Sequence, residues 1–337
     1  MSDVTLAIRL RALGDVVLVT PALRSLAGGC RELHVVTEPR FAPLLEGLPW
    51  IARVWGVERS GASTRGTAAA LRRLRPRRAV DFFGNPRSAL LARASGAAAV
   101  WGYDLRGRRH FYTGTVPREK RLAGGRREPA VETHLRLARA AGGAAGDTRT
   151  EIAAPPAARS LAERLLAEAG VREPGRTVGL LAAGSWPTKA WPVSHSAVLA
   201  RELSAAGYEV LLLAGPGEAG VTRRLAGLAP EVRALPPCGV GPLVAVIARL
   251  RAVVGTDSGP RHVAAALGVP TFSWFGPTHP DTWNPPGDAH GFWATDLPCR
   301  ACDLTACPHW NCLPSLSPGD GSALVLAHLE RHARDGR

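Results

Sequence analysis

The stretch Arg251-Ala-Val-Val-Gly255-Thr-Asp-Ser-Gly-Pro260-Arg-His262 reads as a strand, a turn and the start of a helix. Arg251–Gly255 is a short β-branched run, and Pro260 sits where proline is favoured, at the first helical position. The helix, continuing to Leu267, aims free backbone N–H groups at whatever lies above the strand, and its dipole favours an anion there. Within the turn, Gly259 lets a phosphate approach the main chain. Ser258 can cap or donate, and His262 stands in the first turn, where it can donate to a phosphate oxygen. A capped βα turn is the plain alternative, because Ser and Asp cap helices in any α/β protein. Arg261 argues for the anion site, since a cation in the first turn opposes the dipole unless an anion offsets it.

Outward from this unit the same rhythm recurs. In the first half, Val4–Leu10, Leu33–Thr37, Ala52–Val57, Ala79–Phe83 and Ala97–Trp101 read as strands, with helical patterns such as Ala68–Leu74 and Ser88–Ala94 between them. Residues 140–158, rich in Ala, Gly and Pro, read as a linker. The rhythm restarts with a helix near 159–169. Strands Thr177–Ala182, Glu209–Ala214, Val253–Gly255 and Thr271–Phe275 follow, interleaved with helices Ser194–Gly207, Glu218–Leu228 and Arg261–Leu267. Strand–helix alternation implies parallel sheets covered on both faces. The expectation is an α/β protein of two Rossmann-like doubly wound domains with a cleft between them. Its boundaries are 1–150, 159–317 and a C-terminal helix within 318–337, and ligands belong at the carboxyl ends of the strands.

A chain of 337 residues, 46% of them apolar, suits two such domains. No run approaches the roughly 20 apolar residues of a membrane span, and the N-terminus lacks the pattern of a signal peptide. A cytoplasmic location is therefore expected. Residues 1–150 carry 26 basic and 12 acidic side chains, and residues 151–337 carry 16 of each, so the whole net charge of +14 lies in the first half. That half should face something anionic: a phosphorylated acceptor, a membrane surface or nucleic acid. The prevalence of Arg over Lys, of which there are two (120 and 189), fits a codon bias, but a bias does not explain the asymmetry.

A second cationic contact for phosphate is Lys189, in the loop Ala182–Pro192 after the first strand of the second domain. There is no Gly-x-Gly-x-x-Gly after a strand and no Walker-type Gly-Lys-Ser/Thr, so dinucleotide and NTPase chemistry lose support. With no Asp-x-Asp to hold a divalent ion, no catalytic metal or organic cofactor is expected. The helix terminus, Lys189 and His262 would stabilise a leaving diphosphate instead.

Leu13-Gly14-Asp15-Val16-Val17, Ser185-Trp186-Pro187-Thr188-Lys189-Ala190-Trp191-Pro192 and Thr256-Asp257-Ser258-Gly259-Pro260-x-His262 occur in that order. Together with Asp81-x-x-Gly84-x-x-Arg87-Ser88-Ala89 and Phe275-Gly276-Pro277-Thr278, they resemble the lipopolysaccharide heptosyltransferases of glycosyltransferase family 9. The resemblance runs over nearly the whole chain. It implies the GT-B fold and inverting transfer of a sugar, a heptose from ADP-heptose, to a hydroxyl of a lipopolysaccharide core, another glycan or a secondary metabolite. The donor would lie on the second domain, at Ser185, Thr188, Lys189, Thr256, Asp257, Ser258, Gly259, Pro260, Arg261 and His262. The acceptor would lie on the first, at Arg9, Arg11, Gly14, Asp81, Arg87 and Arg108. Asp15 would be the general base, a role a carboxylate at the end of the first strand can fill, although helix N-cap is its plain alternative. Two positions depart from the family's pattern: Phe83 stands where Gln precedes the motif glycine, and Arg261 where an uncharged residue such as Met is common.

Cys299-x2-Cys302-x4-Cys307-x4-Cys312, with His309 nearby, has the density of a thiolate site for structural Zn or Fe. The resemblance adds that related autotransporter heptosyltransferases carry an iron-binding cysteine finger. Reduced thiols are the alternative in a reducing compartment. Two other functions compete. One is a GT-B-fold sugar-nucleotide epimerase, sharing the donor site without an acceptor. The other is an anionic-surface or nucleic-acid binder, disfavoured because few aromatics interleave with the arginines. Acceptor phosphates, or peripheral contact with the inner membrane surface, are the expected counter-charge instead.

Overall fold

The computed structural model describes residues 3–118, 122, 125–155, 157–184, 186–215 and 217–332. The chain divides into two compact units, Met1–Pro155 and Pro156–Arg337.

In the first unit, β1 (Val4–Ile8), β2 (Glu32–Thr37), β3 (Arg53–Gly56), β4 (Arg78–Asp81), β5 (Ala99–Tyr103) and β6 (Gly114–Val116) form one sheet in the order β3-β2-β1-β4-β5-β6. All its ladders are parallel. Every residue of β1 is buried, as a strand covered on both faces requires. Helices α1 (Leu13–Leu18) and α2 (Thr20–Ala27) follow β1, and α3 (Gly61–Arg73) and α4 (Pro86–Ala94) flank β4. The unit ends with α5 (Ala130–Ala140), which packs on α2. Local chemistry sets the helix starts: Ser60 accepts from Ser63 N–H at α3, and Asn85 from Ser88 N–H at α4, where Pro86 follows. Leu71 of α3 and Leu91 of α4, both fully buried, pack against Leu6 and Ile8. Burial of this kind contributes about 1.5–3 kcal/mol per large side chain.

The second unit holds α6 (Ala158–Glu168), β7 (Thr177–Leu181), α7 (Val193–Ala205), β8 (Glu209–Leu212), α8 (Ala219–Leu228), β9 (Arg233–Ala234), α9 (Val240–Ile247), β10 (Ala252–Thr256), α10 (Gly259–Ala266), β11 (Thr271–Phe275), α11 (Pro280–Trp283), β12 (His290–Ala294) and α12 (Pro318–Arg331). Its sheet is again parallel, in the order β12-β11-β10-β7-β8-β9. Trp191 is 1% exposed, lies 4.4 Å from the Trp274 ring and donates its Nε1 hydrogen to Leu316 O, joining the α7 face to the segment before α12.

Each unit's first strand lies beside its fourth, so each sheet reverses strand order once, between β1 and β4 and between β7 and β10. The connections after these strands diverge to opposite faces and leave a crevice at the carboxyl edge, where doubly wound proteins bind ligands. Gly255 makes the second junction tight: at φ +126, a Cβ there would meet Leu181 O at 2.3 Å.

Several elements lie outside the sequence reading. β6 and β9 are too short for any period, and α9 is apolar all round, so no amphipathic stripe marks it. α5 does carry a stripe, Val131, Leu135 and Ala138, which could have named it. Within the 140–158 segment, residues 144–153 are strapped to the first unit. Ala144 N–H donates to Ser25 O, Arg24 binds Asp147, Glu151 and Arg149 O, and Ala153 N–H donates to Leu44 O.

Candidate active site

At the β1/β4 junction the chain leaves β1 through Arg9 to Ala12 and enters α1. Asp15 is the third residue of that helix and not its N-cap, which is Ala12. Its Oδ2 accepts from Ala12 N–H at 3.2 Å and its Oδ1 pairs with Arg9 Nη2 at 2.7 Å. Burial pushes the carboxyl up, but the Arg9 guanidinium and the Ala12 N–H outweigh it and hold Asp15 below its ordinary value. With 29% of its side chain exposed, it is an ionised carboxylate that a hydroxyl can reach.

Arg9 is the buried half of this pair, 3% exposed. Its Nη1 donates to Phe82 O at 2.5 Å, and its guanidinium lies 5.3 Å from the Phe83 ring. The expectation that Arg9 binds acceptor is thus corrected, because its charge and donors face inward. Exposed Arg11, 5.8 Å from the same ring, is the cation at this edge that faces solvent. Phe83, the residue that departs from the family pattern, is the platform for both.

Asp81 is corrected likewise. It is fully buried, and its carboxylate accepts from Phe83 N–H, Gly84 N–H, Ser88 Oγ and Tyr112 OH at 2.7–3.0 Å. Burial raises its pKa against these four donors. It shapes the turn after β4. Gly14 is buried in α1. Arg87 reaches Val57 O at 3.3 Å and Arg108 reaches Arg106 O at 2.9 Å; both are half-buried. Behind Arg9, Tyr103 OH and His134 Nδ1 lie 2.6 Å apart, and burial takes His134 down to about 3, so its ring is neutral.

At the β7/β10 junction, the loop after β7 approaches the turn after β10, so that a Cβ on Gly184 would meet Thr256 Cγ2 at 2.9 Å. Asp257, 3% exposed, is the hub. Arg261 Nη2 donates to its Oδ1 at 2.7 Å, while Thr278 Oγ1 donates to its Oδ2 at 3.0 Å. Lys189 Nζ lies 3.3 Å from Oδ2 and 3.2 Å from the backbone oxygen, and His262 Nε2 lies 3.8 Å from Oδ1. Burial raises the Asp257 pKa, but Arg261, Lys189, His262 and the Thr278 hydroxyl together take it down to about 2. Lys189 also lies 4.7 Å from the Trp186 ring. Ser258 is the N-cap of α10 but makes no side-chain cap bond. Half-buried Ser258, Gly259 and Pro260 line the helix entrance.

Three donor assignments change. Arg261 is fully buried and binds Asp257, Trp283 O and Asn284 Oδ1, so it meets no phosphate. Asp257 is an internal counter-ion. Thr188, 4% exposed, donates to Leu304 O at 2.8 Å and holds the cysteine-rich loop. Thr256 and His262 are buried, and Ser185 lies outside the described residues. Thr278 and Asn284, which complete the network, come from segments distant in sequence; the Phe275–Thr278 motif was the available signal for the first.

The four-Cys metal expectation also fails the fit. Cys299, Cys302, Cys307 and Cys312 are free, and among the described residues no group of three His, Cys, Asp or Glu side chains could hold a metal ion. Hydrogen bonds shape the loop instead: Ala301 N–H to Gly276 O, Asp303 N–H to Pro277 O, Thr188 to Leu304 O and Trp310 Nε1 to Thr188 O. Cys299 and Cys302 are exposed, whereas Cys307 Sγ accepts from Trp310 N–H.

The profile of glycosyltransferase family 9 (heptosyltransferase) matches residues 67–311, well over half of the chain. Lipopolysaccharide heptosyltransferase 1 of Pseudomonas aeruginosa is 29% identical over 327 residues, covering 90% of this chain and 87% of that protein. Two solved structures share the fold at low identity. One is a family 9 glycosyl transferase from Veillonella parvula (TM-score 0.84, 20% identity, 98% of each chain). The other is the E. coli ADP-heptose lipopolysaccharide heptosyltransferase II (TM-score 0.77, 21% identity, 99% of this chain and 100% of that one). The two doubly wound units are those of the GT-B fold. With a solvent-reachable carboxylate at one switch point and a cation beside a helix entrance at the other, the chain belongs to glycosyltransferase family 9 and is a glycosyltransferase.

Proposed function

We propose that this glycosyltransferase moves a heptose from ADP-heptose to an acceptor hydroxyl with inversion. Asp15 takes the hydroxyl proton as the oxygen attacks the anomeric carbon and the bond to the diphosphate breaks. Lys189 and the α10 entrance at Ser258–Pro260 stabilise the charge that builds on the departing ADP. The observation that carries this reading is the Arg9–Asp15 pair at the β1/β4 junction. It keeps a reachable carboxylate ionised where an acceptor would sit. The relatives named for ADP-heptose and lipopolysaccharide support the choice of donor and of a glycan acceptor. Arg11, with Arg108 and Arg87, supplies the cationic contacts for an acceptor phosphate.

The test is acceptor-dependent release of ADP from ADP-heptose, using a phosphorylated lipopolysaccharide core sugar as acceptor. Turnover that Asp15→Asn abolishes while ADP still binds supports the proposal. Isomerised donor in the absence of acceptor would instead indicate an epimerase.

The same reading extends to a partner surface. Residues 60–118 hold 12 arginines against two aspartates, one of them the buried Asp81, and so carry most of the excess charge. Arg65, Arg72 and Arg73 of α3 and Arg93 of α4 are exposed, and Leu90, 54% exposed, stands on α4 beside them. α3 and α4 pack together, so these exposed side chains stand on adjoining helices. A cationic face with a protruding Leu suits an anionic lipid surface. Co-sedimentation with phosphatidylglycerol vesicles but not phosphatidylcholine vesicles supports it, and loss of binding in Arg72→Glu/Arg73→Glu maps it. Preference for duplex DNA over the vesicles would overturn it.

A further inference from the structure

Two cations share one buried carboxylate at the β7/β10 junction. Arg261 has no exposed surface and makes the shorter contact, 2.7 Å to Asp257 Oδ1, while Lys189 Nζ lies at 3.3 Å from Oδ2 and keeps 15% of its side chain exposed. The three side chains carry a net charge of +1. Without Arg261, Lys189 and Asp257 would neutralise each other, and the α10 entrance would offer an anion only the weak field of a helix end. Arg261 is also held by Asn284 Oδ1, Trp283 O and the Phe275 ring, so it cannot swing out to serve as the ligand-facing cation itself.

We propose that Arg261 is a positioning residue that supplies the counter-charge of Asp257, so that Asp257 can seat Lys189 without cancelling its charge toward the donor diphosphate. This rests on the reading of Lys189 as the diphosphate contact. The arrangement separates two tasks that one ion pair cannot perform together: the carboxylate fixes where the ammonium sits, and the buried guanidinium restores the field it projects. In a site of reduced dielectric, one charge a few ångströms from a diphosphate shifts affinity by about tenfold or more.

The experiment is calorimetric titration of the full chain with ADP, alongside thermal melts. Arg261→Met is expected to weaken ADP binding at least about tenfold. Asp257→Asn combined with Arg261→Met leaves Lys189 as the sole charge, returns the net charge to +1, and is expected to recover most of that loss. Arg261→Lys keeps the charge while losing the planar contacts to Trp283 and Asn284, and is expected to bind ADP nearly as the parent does. It also decides the matter if Arg261→Met fails to fold. Unchanged ADP affinity in Arg261→Met, or a double variant as weak as the single, would overturn the inference and leave Arg261 as a brace for α11. A parent protein that binds no ADP would instead remove the diphosphate reading beneath it.

Discussion

Arg9 and Asp15 form an ion pair of 2.7 Å in which the cation is 4% exposed and the carboxylate 29%. The asymmetry separates orientation from chemistry. The guanidinium is immobilised by Phe82 O and the Phe83 ring, and the carboxylate it aims remains partly open to solvent.

Removing that cation should alter the pH profile before it alters the fold. The Asp15 pKa lies below its ordinary value because Arg9 and the Ala12 N–H overcome burial. Arg9→Gln removes the guanidinium, leaves chiefly the Ala12 N–H against burial, and raises it. The acid limb of kcat/KM should move to higher pH, and the plateau should fall about ten- to hundredfold. A limb that stays in place would mean that Asp15 is not the group titrating.

Asp257 should govern acid stability of the second unit. Its folded pKa, about 2, lies below that of the unfolded chain. The stabilisation is therefore complete above pH 4 and is lost as pH falls from 4 toward 2, amounting to about 2 kcal/mol. Asp257→Ala leaves Arg261 buried without a carboxylate and should cost about 3–5 kcal/mol at neutral pH in denaturant unfolding.

The histidines of β12 and α12 act in a different window. His290, facing Arg261, His328 and His332, and His328, facing His332 and Arg331, are each taken down to about 4, mainly by burial. A buried neutral imidazole stabilises above its unfolded pKa of about 6.5, so stability should decline as pH falls from 6.5 to 4. His328→Phe, which can keep the packing on Phe272, should flatten the melting temperature between pH 7 and pH 5. An undiminished slope would assign the decline elsewhere.

The cysteine-rich loop should be indifferent to chelators, since hydrogen bonds and not thiolates shape it. Melting temperature is expected to be unchanged after dialysis against EDTA. Thr188→Val, which leaves Leu304 O without its donor, should cost about 1 kcal/mol and weaken ADP binding through the adjoining Lys189. A large chelator effect would reverse this account.

Much of the fold was legible because it is written locally. The apolar runs Val4–Ile8 and Thr271–Phe275, the caps at Ser60 and Asn85, and Pro260 inside α10 act over a few residues. α9 escaped because a helix apolar on every face has no period. The 140–158 segment reads as free by composition, but its bonds run to Ser25 and Leu44, more than a hundred residues away.

For the site, the sequence by itself determined which chemistry is present: an acid in the first turn after β1, a lysine after β7, and a Ser-Gly-Pro helix entrance after β10. It also determined that the excess positive charge belongs to the first half. Only the tertiary structure decided which charges are enclosed and which stay open to solvent. Arg9, Asp81, Asp257 and Arg261 carry the same formal charges as Arg11, Asp15 and Lys189, yet the first four are enclosed by partners. The physical reason is that a charge's availability depends on what approaches it in space. Arg9 meets Phe82 across 73 residues and Lys189 meets Asp257 across 68, and no local pattern encodes such separations.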